Sequence, residues 1–274
     1  MRNFLTSFLV LFLVIQTVSA QDPILNSIIK TVSPVEVSAM IKTLGIEYDK
    51  TLLNNPSSRY QSDFKKALNL GVYSTDLGYA NINDQKQDAL TYINSLKQVA
   101  DELSLGNFID VGKILSLAIN KNDLNKLLEE TSLTFENMSE HLQKQNQANL
   151  AALILTGGWL ESLYITCEVA KKRPDVKELA DRIVEQKLVL NQLLPVLGQF
   201  QSDQGIFNLV ADLQKLSGLF SRYNFGTGGD VSTTKETIGG VEVIVVQDNA
   251  VSPDICGNTR RIEQYIFPGG RNQK

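Results

Sequence analysis

Histidine is almost missing from this chain: His141 is the only one in 274 residues, beside one tryptophan, three methionines and two cysteines. A single histidine excludes the paired Glu-x-x-His motifs of di-iron helical bundles, and His141 has Met138 three residues before it. Cys167 and Cys256 are too distant in sequence to form a ligand pair at metal-site spacing, so no metal and no cofactor is expected. The nucleophile motif G-x-S-x-G is absent, as is a Gly-rich phosphate loop opening a helix. "GTGGD" at Gly226 follows a helical run and reads as a linker. A Cys167–His141 dyad would need an exposed, acidified thiol, whereas Cys167 falls on an apolar seam. His141, between Glu140 and Leu142, reads as a solvated surface residue. Basic patches are lacking too: the 26 basic residues are scattered among 30 acidic ones, so nucleic acid is not an expected partner.

What is present begins with the leader "MRNFLTSFLVLFLVIQTVSA". Arg2, an apolar core from Phe8 to Ile15 and the small-residue ending Val18-Ser19-Ala20 have the layout of a secretory signal peptide cleaved near Ala20. A retained anchor is the weaker alternative, because the apolar core is shorter than the about 20 residues a spanning helix needs. The expected product is exported, periplasmic or secreted. Export would put Cys167 and Cys256 in a disulfide-permissive compartment. A bridge would tie the C-terminal segment to the helix containing Cys167; the alternative is a buried Cys167 acting as a small hydrophobe and a free Cys256.

From residue 21 to 223 the pattern predicts one helical domain. "SPVEVSAMIKTLG" carries Ser33 as N-cap, Pro34 at the first helical position, Glu36 in a capping box and Gly45 as the stop. Between Ser57 and Asn81, Tyr60, Phe64, Ala67, Leu68, Gly71, Thr75 and Gly78 share one face whose small residues would let another helix approach closely. Ala89, Tyr92, Ile93, Leu96, Val99, Ala100 and Leu103 form the next face, stopped by Gly106. Further helices are predicted over about 107–119, 123–144, 146–172, 174–198 and 202–223, with Pro195 expected to kink or end its helix. Short loops favour an all-α antiparallel bundle, or stacked helical hairpins, of seven to nine helices. Trp159 lacks the partners of a 34-residue helical repeat.

Beyond residue 223 the composition changes. Two β-prone runs, Thr233 to Ile238 and Val241 to Val246, flank Gly239-Gly240 and predict a small hairpin packed on the helices. Ser252-Pro253-Asp254 then predicts a short helix with Ile255, Ile262 and Ile266 on one face, interrupted by Gly257. Asn137-Met138-Ser139 matches a glycosylation sequon but lies within a predicted helix.

Two carboxylates in apolar helices remain as candidates. Asp76 shares a stripe with Lys65, Asn69 and Asn83, which predicts a solvated position. Glu161 falls over a quarter-turn from the seam Leu153, Thr156, Leu160, Leu163, Cys167, Ala170 and shares its side with Gly157, Glu168 and Lys172. Its helix is expected to be central and exposed only along that strip. Leu150 to Ala170 is long enough to span a bilayer, but Glu161 near its middle would cost about 2.5–3.5 kcal/mol or more, so no span is expected in the mature chain.

The stretches "ALNLGVYSTDLGYA" and "LILTGGWLESLYI" resemble segments of an uncharacterised family of exported, all-helical bacterial proteins. The resemblance implies an exported helical protein and carries over no catalytic residue. The preferred functional reading is a non-enzymatic interaction or binding protein with a protein partner or small ligand. Its alternative is a ligand-binding bundle with a cleft near Gly157, Gly158, Glu161 and Tyr164, lined by Trp159, Tyr164 and Tyr73. The third is a hydrolase using Asp76 and Glu161, which would need the pair within about 10 Å in one cleft.

Overall fold

The computed structural model describes residues 34–119, 124–221, 233–238, 241–246 and 253–262. Among them are nine α-helices: α1 (Pro34–Thr43), α2 (Asp63–Ile82), α3 (Lys86–Glu102), α4 (Val111–Ile119), α5 (Leu124–Lys144), α6 (Ala148–Lys172), α7 (Lys177–Gly198), α8 (Gln204–Phe220) and α9 (Pro253–Ile262). The leader at residues 1–20, Ser33 and Ile266 lie outside the described residues.

Helix ends explain the bundle topology. Gly45, Asp84, Ser104 and Asn146 adopt left-handed backbone just past α1, α2, α3 and α5. Each reversal is closed by an amide of the next residue bonding a carbonyl five residues back: Ile46 to Ile41, Gln85 to Ala80, Leu105 to Ala100 and Gln147 to Leu142, at 2.7–3.2 Å. This satisfies the last carbonyls of each helix and turns the chain sharply. At helix starts, Ser62 accepts from Lys65 N at 3.3 Å and Asp203 from Ile206 N at 3.0 Å, the two caps relieving orphan amides.

α6 is the central element. It packs on α1, α2, α5, α7 and α9, and its pairing with α2 is the most extensive contact in the fold. Every residue from Leu150 to Cys167 is buried. By length and composition this helix could cross a membrane, yet its whole apolar window lies inside the protein. Around it the core gathers large side chains from α2, α3, α7 and α8, including Tyr73, Ile93, Leu190 and Phe220.

Several expectations are corrected. The helix predicted from Ser57 starts only at Asp63; residues 46–60 form an irregular strap with one 3-10 turn, Lys50–Leu52. The segment after Gly106 likewise splits into a 3-10 turn, Gly106–Phe108, and α4. Pro195 does not end α7, which runs on to Gly198; close to a helix end a proline removes one backbone bond and leaves the rest of the ladder in place. Gly257 does not interrupt α9. His141 is half-buried with its ring on Phe108, centroids 5.1 Å apart, because α5 turns it toward the Gly106–Phe108 turn. The hairpin expected over 233–246 is not supported as part of the helical body. Its segments, Thr233–Ile238 and Val241–Val246, pair only with each other in a two-stranded sheet, an arrangement that is marginal by itself in water.

Candidate functional site

The two stretches singled out in the sequence cross each other in the structure. At the crossing of α2 and α6 the backbones touch: a Cβ added to Gly157 would lie 1.9 Å from the Leu68 carbonyl oxygen, and one added to Gly71 would lie 2.0 Å from the Ile154 oxygen and 2.5 Å from the Gly158 nitrogen. Thr75 Oγ1 donates across the interface to the Gly158 carbonyl at 3.1 Å. The small-residue face expected on α2 therefore meets the glycines of α6. Gly158 is less constrained, since a Cβ there would meet its neighbours at 3.4 Å, ordinary van der Waals contact.

This crossing corrects the expected exposure of both carboxylates. Asp76 and Glu161 are each 0% exposed. Glu161 sits four residues after Gly157 and so shares the face that α2 covers; of the strip read as solvent-facing, Gly157 and Glu161 lie in the core while Lys172 at its end is exposed. The polar stripe on α2 is equally covered: Asn69 is fully buried beside Asp76, because the strap folds over it. No open notch stands at Gly157, since Leu68 fills it.

The strap is fastened by a polar network centred on Asn54. The Asn54 amide donates to Asp76 Oδ2 at 3.1 Å, and its carbonyl accepts from the Tyr92 hydroxyl at 2.6 Å. Its side-chain nitrogen donates to Tyr60 Oη and Asn69 Oδ1, both at 3.3 Å. The next carbonyls are held in turn: Asn55 accepts from the Tyr73 hydroxyl at 2.9 Å and Pro56 from Ser95 Oγ at 2.8 Å. Tyr60 and Tyr73 hydroxyls lie 3.2 Å apart. At the strap's other end, Tyr48 donates to Asp88 Oδ2 at 2.9 Å, Lys50 also bonds Asp88, and Asp49 is bonded by Lys172 of α6. An irregular segment can lie in a core only if its backbone groups find such partners.

Electrostatics fix the tyrosines as donors. Burial pushes the Tyr73 and Tyr92 hydroxyls far above the usual phenol range; the Asp76 carboxylate raises both further, and Glu161 also raises Tyr92. Burial, then the hydrogen bond to Asp88, does the same to Tyr48. These phenols stay protonated and serve as hydrogen-bond donors, not as bases or nucleophiles. Among the described residues no three His, Cys, Asp or Glu side chains come together as a metal-binding group.

No match is found. Protein-family models, curated proteins and solved structures were compared with the chain, and none resembles it significantly.

The structure thus places Gly157 and Gly158 at the buried crossing and Glu161 one turn on from it, while Tyr73 and Asp76 meet the strap. Trp159 does not join them: two residues beyond Gly157 it points to the other side of α6, where its indole donates to Gln186 Oε1 at 3.0 Å. Tyr164 shares the Gly157 face by its spacing and is also buried. All seven of these residues are buried, and neither carboxylate meets solvent in this arrangement. Cys167 and Cys256 are bridged, with Cα atoms 5.5 Å apart. Sequence reading missed Asn54, Tyr60, Tyr92 and Asp88 as members of the network. One signal was available: five of the eight tyrosines, Tyr48, Tyr60, Tyr73, Tyr79 and Tyr92, fall between residues 48 and 92.

Proposed function

We propose that this chain is an exported, non-enzymatic helical interaction protein that meets a protein partner through its outer surface. The sealing of Asp76 and Glu161 in the core carries the reading, because general acid–base chemistry needs a carboxyl within hydrogen-bond reach of a substrate. What the fold offers to a partner lies outside. Leu188 of α7 and Phe207 of α8 are 54% and 48% exposed, large apolar side chains on adjacent helices. The leader at residues 1–20 and the resemblance of "ALNLGVYSTDLGYA" and "LILTGGWLESLYI" to exported helical proteins support the location, periplasmic or secreted. The burial of α6 supports its being a core helix with no span in the mature chain, and the scatter of 26 basic among 30 acidic residues supports a partner other than nucleic acid.

The test is site-specific photo-crosslinking in cells producing the full chain, with a photoreactive residue at Leu188, at Phe207 and at the exposed polar control Gln214. Discrete adducts from the first two positions and none from Gln214 are expected; equal labelling at all three, or none, overturns the interaction reading. N-terminal sequencing of the fractionated protein checks export separately. A mature start at or next to Gln21 is expected, and an intact Met1 in the cytoplasmic fraction refutes it.

A further inference from the structure

The last described helix, α9, is joined to the core by a small buried face and one covalent bond. α9 is ten residues long and rests on α8 and α6 only, among the contacts of any extent. Its inward face is Ile255, Cys256, Thr259 and Ile262, all buried, while Gly257 and Arg261 are exposed. Among the described residues, its large apolar anchoring comes from two isoleucines, Ile255 and Ile262. Thr259 spends its hydroxyl within the helix, on the Ile255 carbonyl at 2.9 Å. A helix this short is not stable alone in water, and α9 contains Gly257 near its middle, a further penalty. Against that weak hold stands one covalent link, Cys256 to Cys167, closing 89 residues of sequence. Cys167 lies near the C-terminal end of α6, away from the crossing with α2 at Gly157 that builds the core.

We propose that the Cys167–Cys256 bond is a redox clasp: oxidised, it seats α9 on α6 and α8; reduced, α9 leaves while the α1–α8 bundle remains folded. A dithiol reductant supplies two electrons and two protons, the sulfur–sulfur bond breaks, both cysteines become thiols, and the reductant closes to its own disulfide. Without the bond, the two isoleucines that anchor α9 among the described residues stand against the ordering of the whole helix. The cellular consequence rests on the export reading above. In a reducing cytoplasm the chain carries α9 undocked and leaves uncovered the surfaces of α6 and α8 on which it rests. Oxidation after translocation covers those surfaces with the chain's own helix.

Hydrogen exchange read by mass spectrometry on the mature chain tests this, comparing oxidised protein, protein held in dithiothreitol, and the Cys167→Ala/Cys256→Ala double variant. The variant removes the question of whether reductant reaches two buried sulfurs. The expected result is that amides of 255–262 exchange on the order of 100-fold faster in the reduced and variant proteins, while α2 and α6 keep their protection and Trp159 its buried emission. Unchanged protection of α9 shows that non-covalent packing holds it and overturns the clasp. Loss of α2 and α6 protection together with α9 also overturns it, because the bond is then a staple for the whole fold. Thiol trapping in fractionated cells separates this from the location: clasp behaviour in the purified protein, with reduced cysteines and an intact leader in vivo, sinks the export reading alone.

Discussion

Gly157→Ala should be among the most damaging single-methyl changes this fold can receive. The new Cβ would lie 1.9 Å from the Leu68 carbonyl oxygen, 2.7 Å from its carbonyl carbon and 2.9 Å from its Cα, all backbone atoms of α2. Ordinary contact begins near 3.4 Å, so the helices must separate by about 1.5 Å or distort. Neither can be absorbed by a rotamer change, because backbone is what must move. Overpacking of this kind costs roughly 1–3 kcal/mol and sometimes more. Separation also stretches the Thr75-to-Gly158 bond, 3.1 Å in the native arrangement, a loss of about 1 kcal/mol. Against this, alanine gains about 1 kcal/mol over glycine as a helix former. The net loss is about 2 kcal/mol or more, a fall of about 4–8 °C in melting temperature for a chain of this size. Gly218→Ala in α8 is the matched control: nothing lies within 4 Å of its Cβ position, so only the propensity gain of about 1 kcal/mol remains. Urea titration followed by circular dichroism and by the fluorescence of Trp159, the sole tryptophan and fully buried on α6, reads both. A Gly157→Ala protein as stable as the parent, or a Gly218→Ala protein equally destabilised, refutes the backbone-contact argument.

Other consequences are as direct. Tyr92→Phe leaves the buried Asn54 carbonyl without its 2.6 Å donor and should cost about 1–3 kcal/mol in a denaturant titration; a neutral result would show that the strap does not depend on Asn54. Ser104→Gly relieves a left-handed residue (φ 61°) at the end of α3 and should stabilise by up to about 1 kcal/mol, whereas Asn146→Gly, starting from a residue that tolerates this conformation, should gain less. Burial pushes Asp49 upward, but hydrogen bonds from Lys172 and Thr51 outweigh it and hold the carboxyl below its ordinary 3.8. A depressed folded-state value means that its stabilisation is present above about pH 3.8 and is lost as the pH falls below that. The stability gap between the parent and Asp49→Asn should therefore shrink between pH 7 and pH 3, and a constant gap would refute the assignment.

Much of the helical body was legible in the sequence because the signals were local. Gly45 as a stop, Pro34 at a helix start and the 3.6-residue spacing of Ala89, Tyr92, Ile93 and Leu96 each act within one or two turns, and the structure agrees with them. The close-approach face of α2 was readable for the same reason: Gly71 and Thr75 lie one turn apart, and small residues at that spacing leave a groove whatever fills it. The strap was not legible. Tyr60 continues the helical spacing of Phe64, Ala67 and Leu68, and nothing local shows that it is placed instead by bonds to Asn54 and Tyr73, residues it meets through the fold.

The misplacement of Asp76 and Asn69 has one physical origin. Charge and polarity on a helix face were read as exposure, which holds when water is the only available partner. Here the partner is the strap. An irregular segment laid across α2 brings unpaired amides and carbonyls into the core, and it can stay there only if the covering helices supply acceptors and donors. Asp76 supplies the acceptor for Asn54, and Tyr73, Tyr92 and Ser95 supply the donors for three successive carbonyls. Asn69 and Asp76 are buried because the strap covers them, and the strap is irregular because its backbone bonds to side chains in place of a helix ladder. Breaking either side of that exchange should release residues 48–58 before the α2–α6 crossing opens. Native-state hydrogen exchange on Asp76→Asn tests the order directly: earlier exchange at the strap than at Gly157 supports it, and simultaneous exchange would show that strap and crossing are one cooperative unit.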